Sequence, residues 1–192
     1  IHGLVRDSKG RKMSKSLGNV VWLKDIIVEY HPNAFRLAIL SNHYRQVINY
    51  QDDMMRQMQG EWEKIEKLYV SIFRKLELMD ALDGGNTLEI MDDFLTEMAY
   101  DFNTANAITH LYALMKKMNA DLRRNDLAKE ILQDEFKTFK DMLYILGINV
   151  ELKPLTDGEK ALVLDWQTAR KNKDFEKADM LRNKINELGI RL

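Results

Sequence analysis

The 192-residue sequence contains no cysteine. That excludes a disulfide framework and any thiolate metal site, and it fits a reducing compartment, so a cytoplasmic location is expected. Proline occurs only at Pro32 and Pro154, which leaves room for long uninterrupted helices. No apolar run approaches the ~20 residues that a membrane-spanning helix needs, and no leader of the signal-peptide kind stands at the start. A one-sided charge is missing as well: 29 basic residues against 30 acidic ones leave a formal charge of -1, so any anion-binding surface has to be local. The four histidines, His2, His31, His43 and His110, show no metal-ligand spacing, and neither a Walker phosphate loop nor a dinucleotide fingerprint occurs. No metal site is expected in the chain.

An apolar fraction of 45% beside 31% charged residues is that of a globular protein, long enough for one domain or two small ones. "IHGLV" at the start reads as the tail of a strand, and "VVWLKDIIVEY" as a helix, with Pro32 at the first position of the next. From Gln51 to about Leu82, apolar residues such as Met58, Trp62, Ile65, Leu68, Ile72 and Leu76 recur every three or four positions, predicting one long amphipathic helix. The methionines in that stripe suit adaptable packing. "LDGGN" ends it. Shorter helices follow, one capped at Asn103 or Thr104 and one from about Asp126 to Leu146 that Gly147 stops. After the linker "NVELKPL", Thr156 and Glu159 form a capping-box pair, and Asp174 can cap a last helix closed by Gly189. The fold class is therefore mainly α: a helical bundle with a C-terminal helical hairpin that could be a separate small module.

The stretch "GRKMSKSLGN", Gly10 to Asn19, is the one place where chemistry is suggested. Two ammonium groups and two hydroxyls, on Lys12, Ser14, Lys15 and Ser16, can surround a polyanion while Gly10 and Gly18 let the backbone turn. Lysine and serine are also ordinary loop residues, and composition alone favours that plain reading. The acidic pair Asp92 and Asp93 reads as a solvated helix face.

The order of residues changes the balance. "KMSKSLGN" resembles the signature loop of the class I aminoacyl-tRNA synthetases. Further on, "LSNHYR", "DFNTANA" and "ARKNKDFEKADMLR" are similar to segments of the cysteinyl-tRNA synthetase family, in the same order and over nearly the whole chain. This resemblance implies that the loop closes on ATP, with Lys15 stabilising charge on the phosphates as the adenylate forms and Lys12, Ser14 and Ser16 assisting. It also implies a nucleotide-binding domain and a zinc site ahead of the loop. The chain opens on Ile1 and has no cysteine for that zinc site, so a C-terminal portion of a longer enzyme is expected, without a cofactor of its own and without activity by itself.

Under the same resemblance, residues 1–19 are a remnant of the catalytic domain and 20–50 a stem-contact region. Residues 51–148 form a tRNA-binding bundle of the synthetase anticodon-binding type, and 149–192 a linker and anticodon-binding hairpin. The expected partners are tRNA(Cys) and the preceding catalytic domain, with a monomeric chain and no membrane. Arg170, Phe175 and Asp179 fall at the anticodon-reading positions, where an aromatic face can stack on an unpaired base and charged groups can bond its edges. Phe175 could instead anchor the hairpin core, and Arg170 and Asp179 could be a surface ion pair. Arg45 is expected to meet backbone phosphate, Tyr44 to sit in the core, and His43 to satisfy a helix end. The competing reading is a stand-alone helical interaction module derived from a synthetase.

Overall fold

The computed structural model describes residues 3–124 and 126–192; Ile1 and His2, the start of the expected strand, lie outside them. The described residues form α1 (Leu23–Glu29), α2 (Pro32–Leu40), α3 (Asp52–Leu78), α4 (Ile90–Ala99), α5 (Thr104–Asp121), α6 (Lys129–Ile145), α7 (Asp157–Lys171) and α8 (Phe175–Glu187). Strand content is slight: β1 (Val5–Arg6) pairs in parallel with β2 (Ile48–Asn49), Val5 opposite Ile48 and Arg6 opposite Asn49. No helix among the described residues is long and apolar enough to cross a membrane.

The long helix α3 is the axis of the molecule. Its stripe of Met55, Met58, Trp62, Ile65, Leu68, Ile72 and Leu76 is buried, each large side chain stabilising the fold by about 1.5–3 kcal/mol relative to exposure. Against that stripe pack Ala34, Leu37 and Ala38 of α2, Ile108, Leu111 and Met115 of α5, and Leu132, Phe136 and Phe139 of α6. Ile26 and Tyr30 join the same cluster, so the segment from α1 to β2 has no core apart from the bundle's.

Local chemistry sets the boundaries. Pro32 opens α2 with His31 as its N-cap, the Nδ1 of His31 accepting from the Asn33 amide at 3.1 Å. Asn103 caps α5 through its side chain, and Thr104 Oγ1 donates to Leu40 O at 2.7 Å, fastening the start of α5 to the end of α2. Gly147 terminates α6 at φ 67°, where an added Cβ would lie 2.9 Å from the Arg36 guanidinium.

The hairpin of α7 and α8 carries its own small cores. Leu155, Val163 and Ile185 form one, with Leu78 of α3 against it, and Ala169, Ala178 and Leu181 form another; Leu162 and Trp166 touch both. The capping box at α7 is reciprocal, Thr156 Oγ1 accepting from the Glu159 amide at 3.3 Å while Glu159 Oε2 accepts from the Thr156 amide at 2.7 Å. Asp174 caps α8, its Oδ1 taking the Lys177 amide at 3.1 Å. A buried polar clamp docks this unit on α3: Arg74 donates to Glu77 Oε2 at 2.6 Å and to Arg191 O at 2.9 Å, and Glu77 Oε1 accepts from the Leu155 amide at 2.6 Å.

Candidate nucleic-acid interface

Arg170 lies in the last turn of α7, and Phe175 and Asp179 lie one turn apart at the start of α8. Between them Lys173 adopts a left-handed φ of 59°, and the Asp174 amide bonds back to Ala169 O at 2.9 Å. This tight reversal folds the two helices face to face. All three residues then line one hollow of about 520 Å³, together with Trp166, Arg182 and Asn186. Phe175 is 70% exposed, so it does not anchor the hairpin core; Ala178, Leu181 and Ile185 take that part. Nor do Arg170 and Asp179 pair: among the described residues Arg170 has no carboxylate within 4.0 Å, and its guanidinium carbon sits 4.9 Å from the centre of the Trp166 ring.

The hollow thus offers an exposed aromatic face, a guanidinium with its donors unspent on a carboxylate, a carboxylate and an amide side chain. Such a set stacks and hydrogen-bonds an unpaired nucleobase. Sequence reasoning counts Arg182 among the hairpin cations that could meet tRNA but does not single out Trp166 or Asn186. The available signal was spacing, since Trp166 and Arg170 stand at i and i+4, and Asp179, Arg182 and Asn186 at i, i+3 and i+7 on one helix face.

Arg45 sits elsewhere, on the turn before β2. Its Nη2 lies 3.1 Å from Asp101 Oδ1, and its Nε donates to the Tyr44 hydroxyl at 2.8 Å. That hydroxyl in turn donates to Asp101 Oδ1 at 2.7 Å, and His43 Nε2 stands 3.6 Å from Asp101 Oδ2. The hydrogen bond to Tyr44 and the Asp101 charge hold the Arg45 guanidinium above its ordinary pKa. Tyr44 is half-buried, stacked on His43 at 4.8 Å between ring centres, and so does not belong to the core: its polar tip needs the partners that the surface supplies. Asp101, at a left-handed φ of 55°, is the organiser that the sequence did not announce.

The lysine loop is shaped by two residues outside its basic run. Asp7 accepts from the Lys9 and Arg11 amides at 3.0 and 2.9 Å, from Arg11 Nε at 2.9 Å and from Asn19 Nδ2 at 2.9 Å. Asn19 passes the tie on, its Oδ1 accepting from the Ser14 amide at 2.9 Å. The hydrogen bond from Asn19, followed by those from Arg11 and Lys9, holds the Asp7 carboxyl well below the usual carboxylate range. Outside this frame Lys12, Lys15 and Ser16 are exposed and Ser14 is half-buried, with the Ser14 and Ser16 hydroxyl oxygens 3.2 Å apart. Lys15 Nζ lies 5.5 Å from the Trp22 ring centre, and among the described residues neither lysine has a carboxylate within 4.0 Å. The loop and the hairpin hollow share no residue. Among the described residues no group of three or more histidine, aspartate and glutamate side chains is arranged for a metal ion.

Comparison with known proteins adds the family context. Residues 1–60 match the profile of the class I (C) tRNA synthetase catalytic domain, and residues 93–151 match the DALR domain. The chain is 34% identical to the cysteine–tRNA ligase of Anoxybacillus flavithermus over 93% of its own length and 40% of that protein. It is 34% identical to that of Exiguobacterium sibiricum over 100% of its length and 43% of that protein. The ligase of Oceanobacillus iheyensis is 35% identical over 93% of the chain and 40% of that protein. The chain thus spans about two fifths of the length of these relatives. Among solved structures, the LeuRS of an Agrobacterium radiobacter ternary complex with tRNA and LeuAMS shares the fold, with a TM-score of 0.59 and 20% identity over 74% of this chain and 20% of that one.

Proposed function

This chain belongs to the class I cysteinyl-tRNA synthetase family, and we propose that it is the C-terminal, tRNA-binding part of a ligase that activates cysteine with ATP and transfers it to tRNA(Cys). The observation that carries the reading is the convergence of Arg170, Phe175 and Asp179 on one hollow at the hairpin tip. In that hollow the Phe175 ring stacks on an anticodon base, the Arg170 guanidinium donates to acceptors on a base edge, and the Asp179 carboxylate accepts from an exocyclic amino group. Arg45, beside Tyr44 and Asp101, faces the tRNA backbone from the 20–50 segment as a stem contact. The bundle spanning 51–148 joins the two contact regions.

Lys12, Ser14, Lys15 and Ser16 belong to the catalytic end of the enzyme. Their ammonium and hydroxyl groups stabilise the charge on the ATP phosphates as the adenylate forms, and the frame built by Asp7 and Asn19 presents them outward. Among the described residues zinc has no fitting donor set, the sequence has no thiolate, and the ion is assigned to the catalytic domain of the parent ligase. The isolated chain is inactive in aminoacylation, works as a monomer and belongs to the cytoplasm.

The test is a titration of the chain with tRNA(Cys) at several salt concentrations, beside an anticodon-altered tRNA and the Arg170→Ala variant. Affinity that falls with salt, and falls again with either change, supports the reading. Equal binding of all three removes the anticodon assignment, and absence of tRNA affinity favours a stand-alone helical interaction module.

A further inference from the structure

Trp166 is the one large aromatic residue of the hairpin that is both packed and part of the hollow. Its side chain is half-buried and packs against both the Leu155–Val163–Ile185 cluster and the Ala169–Ala178–Leu181 cluster. The Arg170 guanidinium carbon stands 4.9 Å from its centre, one helical turn away. Asp179 lines the same hollow, yet lies beyond 4.0 Å from every nitrogen of Arg170 that could pair with it. An exposed arginine next to an aspartate ordinarily samples many rotamers and closes on the carboxylate in some of them. Here the aromatic face provides a competing resting place, which leaves both charged groups open toward the hollow.

We propose that Trp166 is a positioning residue for tRNA recognition: its ring holds the Arg170 guanidinium in its base-reading pose and keeps it off Asp179 before the tRNA arrives. Immobilising a long side chain on binding costs free energy, and a side chain already held has less to lose. Trp166 contributes through Arg170 and makes no base contact of its own. The proposal rests on the reading of the hollow as the anticodon site.

The experiment is a double-mutant cycle between positions 166 and 170, read by tRNA(Cys) binding at fixed low salt. Trp166→Leu keeps an apolar side chain for the two clusters and removes the π face; Trp166→Phe keeps a face. The expected result is that Trp166→Leu weakens binding about threefold to tenfold, that Trp166→Phe stays within about twofold of the parent, and that Trp166→Leu adds nothing in the Arg170→Ala background. Circular dichroism melts of each variant establish that the hairpin is intact. Equal losses in Trp166→Leu and Trp166→Phe, or a loss from Trp166→Leu that persists without Arg170, would overturn the positioning role while leaving the anticodon reading in place. If Arg170→Ala itself binds like the parent, the anticodon reading fails and the proposal falls with it.

Discussion

Arg74 and Glu77 form an ion pair at 2.6 Å with both side chains almost wholly withdrawn from solvent, at 7% and 1% exposure. The pair stands on the last turns of α3, and each partner also bonds the backbone of the C-terminal unit: Arg74 to Arg191 O and Glu77 to the Leu155 amide. Two charges that would be costly alone are thereby turned into the joint between bundle and hairpin.

Glu77→Ala strands the Arg74 guanidinium and the Leu155 amide at once. The expected cost is about 3–5 kcal/mol, the range for breaking a buried pair. Urea unfolding checks it. Arg74→Met paired with Glu77→Leu should recover the share that comes from the stranded guanidinium, because both charges leave together, while the Leu155 amide stays unpaired at a cost of about 1–3 kcal/mol.

Asp7 carries the lysine loop. Asp7→Ala removes the acceptor for the Lys9 and Arg11 amides and frees Asn19, so amide exchange at Lys9, Arg11 and Ser14 should quicken while the helices stay protected. The depressed folded-state pKa gives the sign with pH: the contribution is present above the unfolded value, about 3.9, and is lost only as pH falls through the lower folded value. Loop protection should accordingly persist on acidification through pH 4 and vanish only below it.

A second buried cluster joins α5 to α6. Glu135 is fully buried, one oxygen meeting Lys117 and the other without a hydrogen-bond partner among the described residues, while Lys117 also reaches Asp121 at 2.9 Å. Burial pushes the Glu135 carboxyl up, against the pull of Lys117, and the hydrogen bond from Lys117 holds Asp121 down. For Glu135 the sign is the reverse of that for Asp7: stability is fully present below the unfolded value, about 4.3, and is lost as pH rises through the folded one. Lys117→Ala is therefore expected to cost only its contact with Asp121 where Glu135 is protonated, and about 1–3 kcal/mol more above the folded pKa of Glu135. Thermal melts of variant and parent across pH 4 to 8 read the difference.

Asp101 competes for Arg45 with any phosphate. Asp101→Asn removes the charge and keeps a residue that tolerates the left-handed backbone. It should strengthen tRNA binding about twofold to fivefold at low salt, the scale of an exposed ion pair. Weaker binding would show that Asp101 orients Arg45 for the contact.

Much of the architecture was legible because periodicity and capping act over a few residues. The stripe from Met55 to Leu76, the Asn103 and Asp174 caps and the Thr156–Glu159 box all follow from neighbours within one or two turns. Tyr44 sits outside the core that its sequence position predicts because its partner Asp101 lies 57 residues away, and no local pattern reports that approach. Phe175 shows the same limit, since spacing cannot say whether an aromatic at a helix start turns toward Ala178 and Leu181 or toward solvent.

By itself, the sequence determined the helical class, the capped helix starts at Asn103, Thr156 and Asp174 and the phosphate-suited loop, because these depend on local propensity and on the order of residues. Arg170, Phe175 and Asp179 are singled out by the family resemblance alone. Both α3 and α6 are shorter than the pattern predicts, α3 ending at Leu78 and not about Leu82 and α6 starting at Lys129 and not about Asp126. Only the tertiary structure decided that Trp166 lies under Arg170 beside an open Asp179, that Asp7 and Asn19 frame the loop, and that a buried ion pair fastens the hairpin to α3. Those are choices among competing partners, and they are made where elements meet, by burial and geometry that no single stretch of chain contains.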